Sequence, residues 1–357
     1  MNRRRFLSVV LPALAAARCS RAEQAPSARS AVPATQGVTP TGSPASPVKL
    51  TAFKTSALCL VGWIVALERG FFAAEGLAVE FLAPSAADTP AHHPFGSFLN
   101  GPMGLVRGDL VVLEYQNLAD LTLSTGEYYV VAGEHSGCRQ LVVPMDSPVR
   151  STADLAGKRI GLTSEFNDTI IWEYLARQAG ASPGSIQWVS VASRPGTPEE
   201  LEYVKGEFAA GRLDAYIGSD PTGEILKADG VARLVASNTW TAPLNGWYCC
   251  MIGVRRALID ANPDLAKAVT RAFRRSAEFI EKNPSETVAL SIDAGFLPKD
   301  TRRDISARLL GEYVWTATGR IEEDLERYFS LLIEAGRLPK SSSPRELVAR
   351  VYRGSDT

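Results

Sequence analysis

The chain has 357 residues, of which 45% are hydrophobic and 22% charged, with a formal net charge of −1 and a mean hydropathy of −0.03. Such a composition belongs to a soluble globular protein long enough for two domains. The near-neutral balance leaves no basic footprint for nucleic acid.

At the N-terminus, Arg3-Arg4-Arg5-Phe6-Leu7 and the apolar run Val9 to Ala17 read as an export signal of the twin-arginine type. The run is shorter than the roughly 20 residues of a membrane-spanning helix. Leu14-Ala15-Ala16-Ala17-Arg18-Cys19 has the outline of a lipoprotein box in which Cys19 carries the lipid. Arg18 stands where that pattern wants a small residue, so cleavage after Ala17 is the rival reading. Residues 1–21 are therefore assigned to the signal. Residues 22–47 contain no aromatic residue and read as a disordered linker. Removing residues 1–18 takes away four arginines and no acid, which carries the charge from −1 to −5.

The folded part opens with a strand, Val48–Phe53. An amphipathic helix up to Glu75 follows, then Gly76 as a left-handed stop and the alternating strand Leu77–Phe81, together a βαβ unit. A helical stretch over 95–107 leads to the strand Asp109–Leu113. The strands Tyr128–Ala132 and Gln140–Val143 bracket a loop, Gly133 to Cys138. After Pro144 a second α/β unit begins. A turn and strand run over Ser151–Leu162, and a helix over Asn167–Ala179 stops at Gly180. The strand Ile186–Val191, the helix Pro198–Ala210 with Gly211, and the strands Leu213–Ile217 and Val231–Ala236 complete the unit. Trp247–Val254 is a β-rich return, and two long helices follow, started by Asn262-Pro263 and by Asn283-Pro284-Ser285-Glu286. The last helix spans Glu322–Ala335 and stops at Gly336. This order predicts one lobe from 48–143 and 245–357 and a second from 144–244.

Ala66-Leu67-Glu68-Arg69-Gly70-Phe71-Phe72-Ala73-Ala74-Glu75-Gly76-Leu77 resembles the first helix of the solute-binding proteins of nitrate/sulfonate/taurine-type ABC importers (the SsuA/THI5-like or NMT1-like family). Asp154-Leu155-Ala156-Gly157-Lys158-Arg159-Ile160-Gly161 and Gly211-Arg212-Leu213-Asp214-Ala215 extend the resemblance in order and spacing, and residues 48–300 follow it element by element. The resemblance implies an α/β, two-lobed periplasmic-binding-protein fold (type II), each lobe a mixed sheet flanked by helices, with a ligand cleft between them. It further implies a monomeric periplasmic binding component rather than an enzyme, without cofactor. Such a component captures a small anionic, sulfonate or pyrimidine-like solute for a permease and an ATPase, and meets the membrane only through a lipid on Cys19. Two alternatives stand beside it. Pyrimidine-precursor synthases of the thiamine pathway are similar and carry an iron motif Cys-Cys-Cys-Phe-Cys, of which Tyr248-Cys249-Cys250-Met251-Ile252 keeps two cysteines. A ligand-presenting partner of a sensor histidine kinase is the other.

In open α/β sheets ligands bind beyond the C-terminal ends of strands. That rule selects Ser56, Cys59 and Trp63 after the first strand, then Glu114 and Tyr115. It also selects Thr163, Ser164 and Asn167, where a helix start suits an anionic head group or a simple helix cap. Asp220 closes a further strand, and His135, Cys138, Tyr248 and Cys249 flank the predicted crossings. Arg139 is either a counter-charge for an acidic ligand or an exposed strand-edge residue. Cys59, Cys138, Cys249 and Cys250 admit three readings: a disulfide from Cys138 to Cys249 or Cys250, inert buried thiols, or a site for a soft metal. His135 lies close enough to Cys138 to share a ligand, although a loop histidine bonded to backbone is the plainer reading. His92-His93 sits in a proline-flanked loop. No spacing matches a zinc signature, a nucleophile elbow, a phosphate loop or a dinucleotide fingerprint.

Overall fold

The computed structural model describes residues 46–53, 57–82, 108–115, 117–162, 169–191, 198–315 and 321–354. In chain order the strands are β1 (Val48–Phe53), β2 (Leu77–Leu82), β3 (Leu110–Glu114), β4 (Tyr128–Ser136), β5 (Arg139–Pro144), β6 (Arg159–Leu162), β7 (Gln187–Ser190), β8 (Ala215–Ser219), β9 (Ala232–Ser237), β10 (Tyr248–Arg255) and β11 (Val314–Trp315). The helices are α1 (Val61–Glu68), α2 (Phe71–Ala74), α3 (Thr169–Gln178), α4 (Pro198–Ala209), α5 (Thr222–Ala228), α6 (Arg256–Ala261), α7 (Asp264–Lys282), α8 (Pro284–Asp293), α9 (Arg303–Glu312), α10 (Ile321–Glu334) and α11 (Pro344–Val351).

The strands form two mixed sheets flanked by helices, ordered β11-β4-β10-β3-β1-β2 and β7-β6-β8-β5-β9. The opening βαβ unit is present: β1 and β2 run parallel, with Val48 opposite Leu77, and Gly76 takes φ 72°. The intervening helix differs from expectation. Gly70, at φ 68°, divides it into α1 and α2. Residues Val61 to Ala66 are all buried, because α1 packs against α2, α7 and α8 while Gly62 comes up to Glu134 of β4 and to Trp315. The amphipathic element is α7, whose buried residues Leu265, Val269, Ala272, Phe273, Ser276 and Ile280 line one stripe.

The first crossing between the sheets falls earlier than predicted. β4 continues through Glu134 and His135 to Ser136, so the expected loop 133–138 shrinks to Gly137-Cys138. Arg139 already begins β5, which pairs antiparallel with β8 and β9. Residues 139–143 thus belong to the second sheet, not to the first lobe with which they were grouped. The return crossing runs from Ser237 to Tyr248. The two crossings lie side by side: the Arg139 N–H donates to Asn238 Oδ1 (2.8 Å), and the Asn238 N–H to the Arg139 carbonyl (3.1 Å). Gly137, at φ 103°, permits this approach, since a Cβ there would lie 2.7 Å from Thr239 Oγ1. Among the described residues no helix is long and apolar enough to cross a membrane.

Candidate functional site

Polar and thiol side chains converge where the two sheets meet. Arg139 is 2% exposed, not at an open strand edge. Its guanidinium reaches across to Glu114 at the end of β3 (Nη2–Oε2 3.2 Å) and donates to Ser219 at the end of β8 (2.5 Å). The counter-charge that the sequence offered to a ligand is therefore engaged with a carboxylate of the other sheet. Tyr115 is also buried and stacks on Tyr328 of α10, ring centroids 5.5 Å apart.

All four described cysteines are buried free thiols. Cys59 comes from the turn before α1, Cys138 from the first crossing, and Cys249 and Cys250 from β10. The Cys138 and Cys249 sulfurs are 3.1 Å apart, well beyond a disulfide bond of about 2.05 Å. Of the three readings of the cysteines, the disulfide is absent among the described residues. Consecutive strand residues normally face opposite sides, yet Cys249 and Cys250 both interact with Cys138. The pairing of β10 with β4 slips between Tyr248 and Cys250 and again between Cys250 and Met251, and such bulges re-aim side chains.

His135 is fully buried in β4, opposite Cys250, and not a loop histidine bonded to backbone. Neither ring nitrogen has a well-formed hydrogen bond. One donor atom from each of Cys59, His135, Cys138 and Cys250 lies within 4.8 Å of every other. The imidazole stacks on Tyr313 (centroids 5.2 Å apart), whose hydroxyl donates to Asp220 Oδ2 (2.7 Å). Trp315 of β11 stands beside both rings, 5.3 Å from the His135 centroid and 5.7 Å from that of Tyr313.

The charges follow from this packing. Hydrogen bonds from the Cys138 and Cys250 thiols hold Cys59 well below the ordinary thiol range against the effect of burial, and its place before the α1 N-terminus favours the same thiolate. Burial pushes Cys138 and Cys250 up. Burial alone would lower His135, but the Cys59 thiolate carries it up to about 9. Burial raises Glu134 to about 8 and Asp220 to about 7, the Tyr313 hydroxyl drawing the latter back in part.

The remaining sequence candidates divide. Trp63 packs edge-on against Phe273 inside the first lobe (centroids 4.8 Å) rather than facing open space. Tyr248 is buried; its N–H donates to Asp324 Oδ2 (3.0 Å) and its carbonyl accepts from the Tyr328 hydroxyl (2.6 Å). Ser56, Thr163, Ser164, Asn167 and Cys19, with His92 and His93, lie outside the described residues. Two hollows open between elements of the two lobes. One of about 800 Å³ is lined by Glu224, Arg233, Trp240 and Arg308; the other, of about 1070 Å³, by Tyr174, Trp247, Asp324 and Arg327. Neither contains a candidate chosen from the sequence.

Comparison with known proteins places this arrangement in a family. The NMT1/THI5-like family profile matches residues 60–287, more than half of the chain. The chain belongs to that family. This NMT1/THI5-like chain has the fold of the alkanesulfonate-binding protein SsuA from Xanthomonas axonopodis pv. citri bound to MOPS, at TM-score 0.63 and 16% identity, over 88% of this chain and 100% of that one. It is similar in fold to the periplasmic nitrate-binding protein NrtA from Synechocystis PCC 6803, at TM-score 0.62 and 14% identity over 87% and 86% of the two chains. A curated relative, 4,5-dihydroxyphthalate decarboxylase from Comamonas testosteroni, is 24% identical over 201 residues, 49% of this chain and 60% of the enzyme. The chain thus spans less than two thirds of that relative.

Sequence reasoning missed Glu134, Tyr313 and Trp315. Glu134 adjoins a histidine inside a hydrophobic strand, a signal that existed; Tyr313 and Trp315 follow α9 with no local feature to mark them.

Proposed function

We propose that the chain is the periplasmic solute-binding component of an ABC importer, capturing a small anionic, sulfonate-like or pyrimidine-like solute between its two lobes. One observation carries the reading: two α/β sheets are joined only by adjacent crossings at 137–138 and 238–247 among the described residues. Such a pair of crossings is a hinge, and a ligand that touches both lobes only when they close shifts the hinge equilibrium by its differential contacts. The binding proteins for alkanesulfonate and nitrate that share the fold support this ligand class. Arg139, Tyr115 and Asp220, buried near the seam, are proposed as its contacts, and Ser56, Thr163, Ser164 and Asn167 stay candidates by sequence alone.

A thermal-shift panel on the reduced protein tests it, with sulfonates, nitrate, bicarbonate and pyrimidines. A binder at 100 times its Kd stabilises by about 2.7 kcal/mol. Failure of every member to move the melting temperature would sink the ligand assignment. The decarboxylase relative favours a second reading, an enzyme on the same fold. Release of carbon dioxide from 4,5-dihydroxyphthalate would support that reading, and lack of turnover beside a saturable anion shift would remove it.

A further inference from the structure

We propose that Cys59, His135, Cys138 and Cys250 hold one thiophilic d10 metal ion, of the zinc or copper(I) type, as a resident clamp on the first crossing. Three thiols and an imidazole are the donor set that soft and borderline ions select. The four donor atoms lie within 4.8 Å of one another. Donors about 2.3 Å from a tetrahedral ion stand about 3.8 Å apart, so a contraction of roughly 1 Å closes the set on a single ion. All four residues are at most 5% exposed. Both His135 nitrogens are buried without a hydrogen bond of normal geometry and the imidazole lies beside the Cys59 sulfur, so one nitrogen is placed to ligate such an ion.

The backbone agrees. Cys138 is the one non-glycine residue at positive φ among the described residues, at 83°. That conformation is strained for a residue with a side chain and persists only where its surroundings enforce it. It holds the Cys138 thiol toward the cluster beside a glycine that already makes the turn. The β10 slip presents Cys250 to the same point. The set is drawn from three separate stretches of chain, at 59, 135–138 and 250, and takes only Cys250 from the Cys249-Cys250 pair, so it is not a contiguous cysteine motif. Binding releases the protons of whichever thiols are neutral.

The ion is a fixture rather than cargo. Cys59, His135 and Cys250 stand on elements of the first lobe and Cys138 on the crossing, with no donor from β6 to β9. Parting of the lobes leaves the set whole. The inference therefore stands independently of the solute-binding reading: metal content and anion response are separate measurements that fail separately.

The test uses the full chain stripped of metal by a chelator, kept reduced with a phosphine and titrated with Co²⁺. The expected result is one ion per chain, with thiolate-to-cobalt charge transfer in the near ultraviolet and the intense visible bands of tetrahedral cobalt. Zn²⁺ or Cu⁺ should displace it stoichiometrically, and elemental analysis of untreated protein should find one of the two. Cys138→Ser and His135→Gln should weaken binding by more than the 10–100-fold that loss of an outer partner costs, whereas Cys249→Ser should keep the spectrum. Should a variant fail to fold, the wild-type titration decides alone. Absence of the charge-transfer band, a spectrum unchanged by His135→Gln, or a Cys138–Cys249 disulfide in protein alkylated at cell lysis would each overturn the proposal.

Discussion

Replacing Arg139 by methionine removes a buried guanidinium that bridges the two sheets. Its Nη2 lies 3.2 Å from Glu114 Oε2, with both side chains at most 4% exposed. At an effective dielectric of about 20, two unit charges at that distance attract by about 5 kcal/mol. Most of that repays the desolvation of the two ions, so the pair as a whole is near neutral in worth. The single substitution, by contrast, leaves Glu114 without this cation and should cost about 3–5 kcal/mol. The folded unit of roughly 310 residues has an unfolding entropy of about 0.65 kcal/mol per kelvin, so the melting temperature should fall by about 5–8 °C. Adding Glu114→Leu to Arg139→Met should restore most of that loss, because the stranded carboxylate goes with it. Differential scanning calorimetry of the wild type, both single variants and the double variant closes the cycle. If Arg139→Met lowers the midpoint by less than about 1.5 °C, or the double variant is no better than the single, the pair is not the desolvated bridge described.

Other substitutions probe the packing around the seam and the second sheet. In Gly133→Ala the new methyl would stand inside the Tyr248 ring, and Asp324 and Tyr328 fix the Tyr248 backbone on both sides. Overpacking should cost about 1–3 kcal/mol, and an unchanged denaturation midpoint would refute that contact. Trp172 and Trp315 are equally buried, but only the Trp315 indole N–H has a partner, the Leu310 carbonyl at 2.9 Å. Phenylalanine at 315 should therefore destabilise by about 1–2 kcal/mol more than phenylalanine at 172, which urea unfolding of the two variants measures. Arg159 donates to Asp214 from two guanidinium nitrogens (2.9 and 3.0 Å) and from its backbone N–H (2.8 Å), and holds its carboxyl below the usual range. A depressed folded value contributes stability above about pH 3.9, lost as the pH falls through the folded value. Asp214→Asn should thus cost about 1 kcal/mol at pH 7, solvent screening included. The two melting curves should converge in acid, and a constant gap would contradict the linkage.

Local chemistry made much of the fold legible. Gly76, Gly211 and Gly336 end their helices at positive φ as their positions predict, because each follows an apolar-periodic stretch that only a left-handed residue can stop. The sheet to which β5 belongs was not legible. Gln140 to Val143 reads as a buried strand, but antiparallel pairing with β8 and β9 is decided by distant partners. Gly133-Glu134-His135 breaks the apolar run, and that break predicts a loop around His135. The strand nevertheless continues, since β10 and β11 supply ladder partners on both sides. The four cysteines were visible one by one, but their meeting depends on a turn before α1, a two-residue crossing and a slipped register, none of which leaves a fixed spacing.

The seam carries two attachments with different consequences for a hinge. The Glu114–Arg139 pair joins a strand of each sheet, so it stretches when the lobes part as proposed. The Cys/His cluster involves the first lobe and the crossing, so it does not. A ligand closes a hinge only by preferring the closed state, and a latch worth several kcal/mol would close the chain without one. The physics of buried ions removes that difficulty. On opening, both charges recover most of their hydration, which offsets the attraction they lose. The net bias toward closure is then small, while the geometry of the pair still defines one closed register. Contacts made by a bound solute, rather than the ion pair, are left to decide the population. The crossing next to this pair, Gly137-Cys138, ends on Cys138, the residue that the proposed metal site would anchor. If the proposed metal site and the proposed hinge both hold, bending falls on the Arg139 side of this crossing and on the return crossing, a narrower hinge than two free crossings would make.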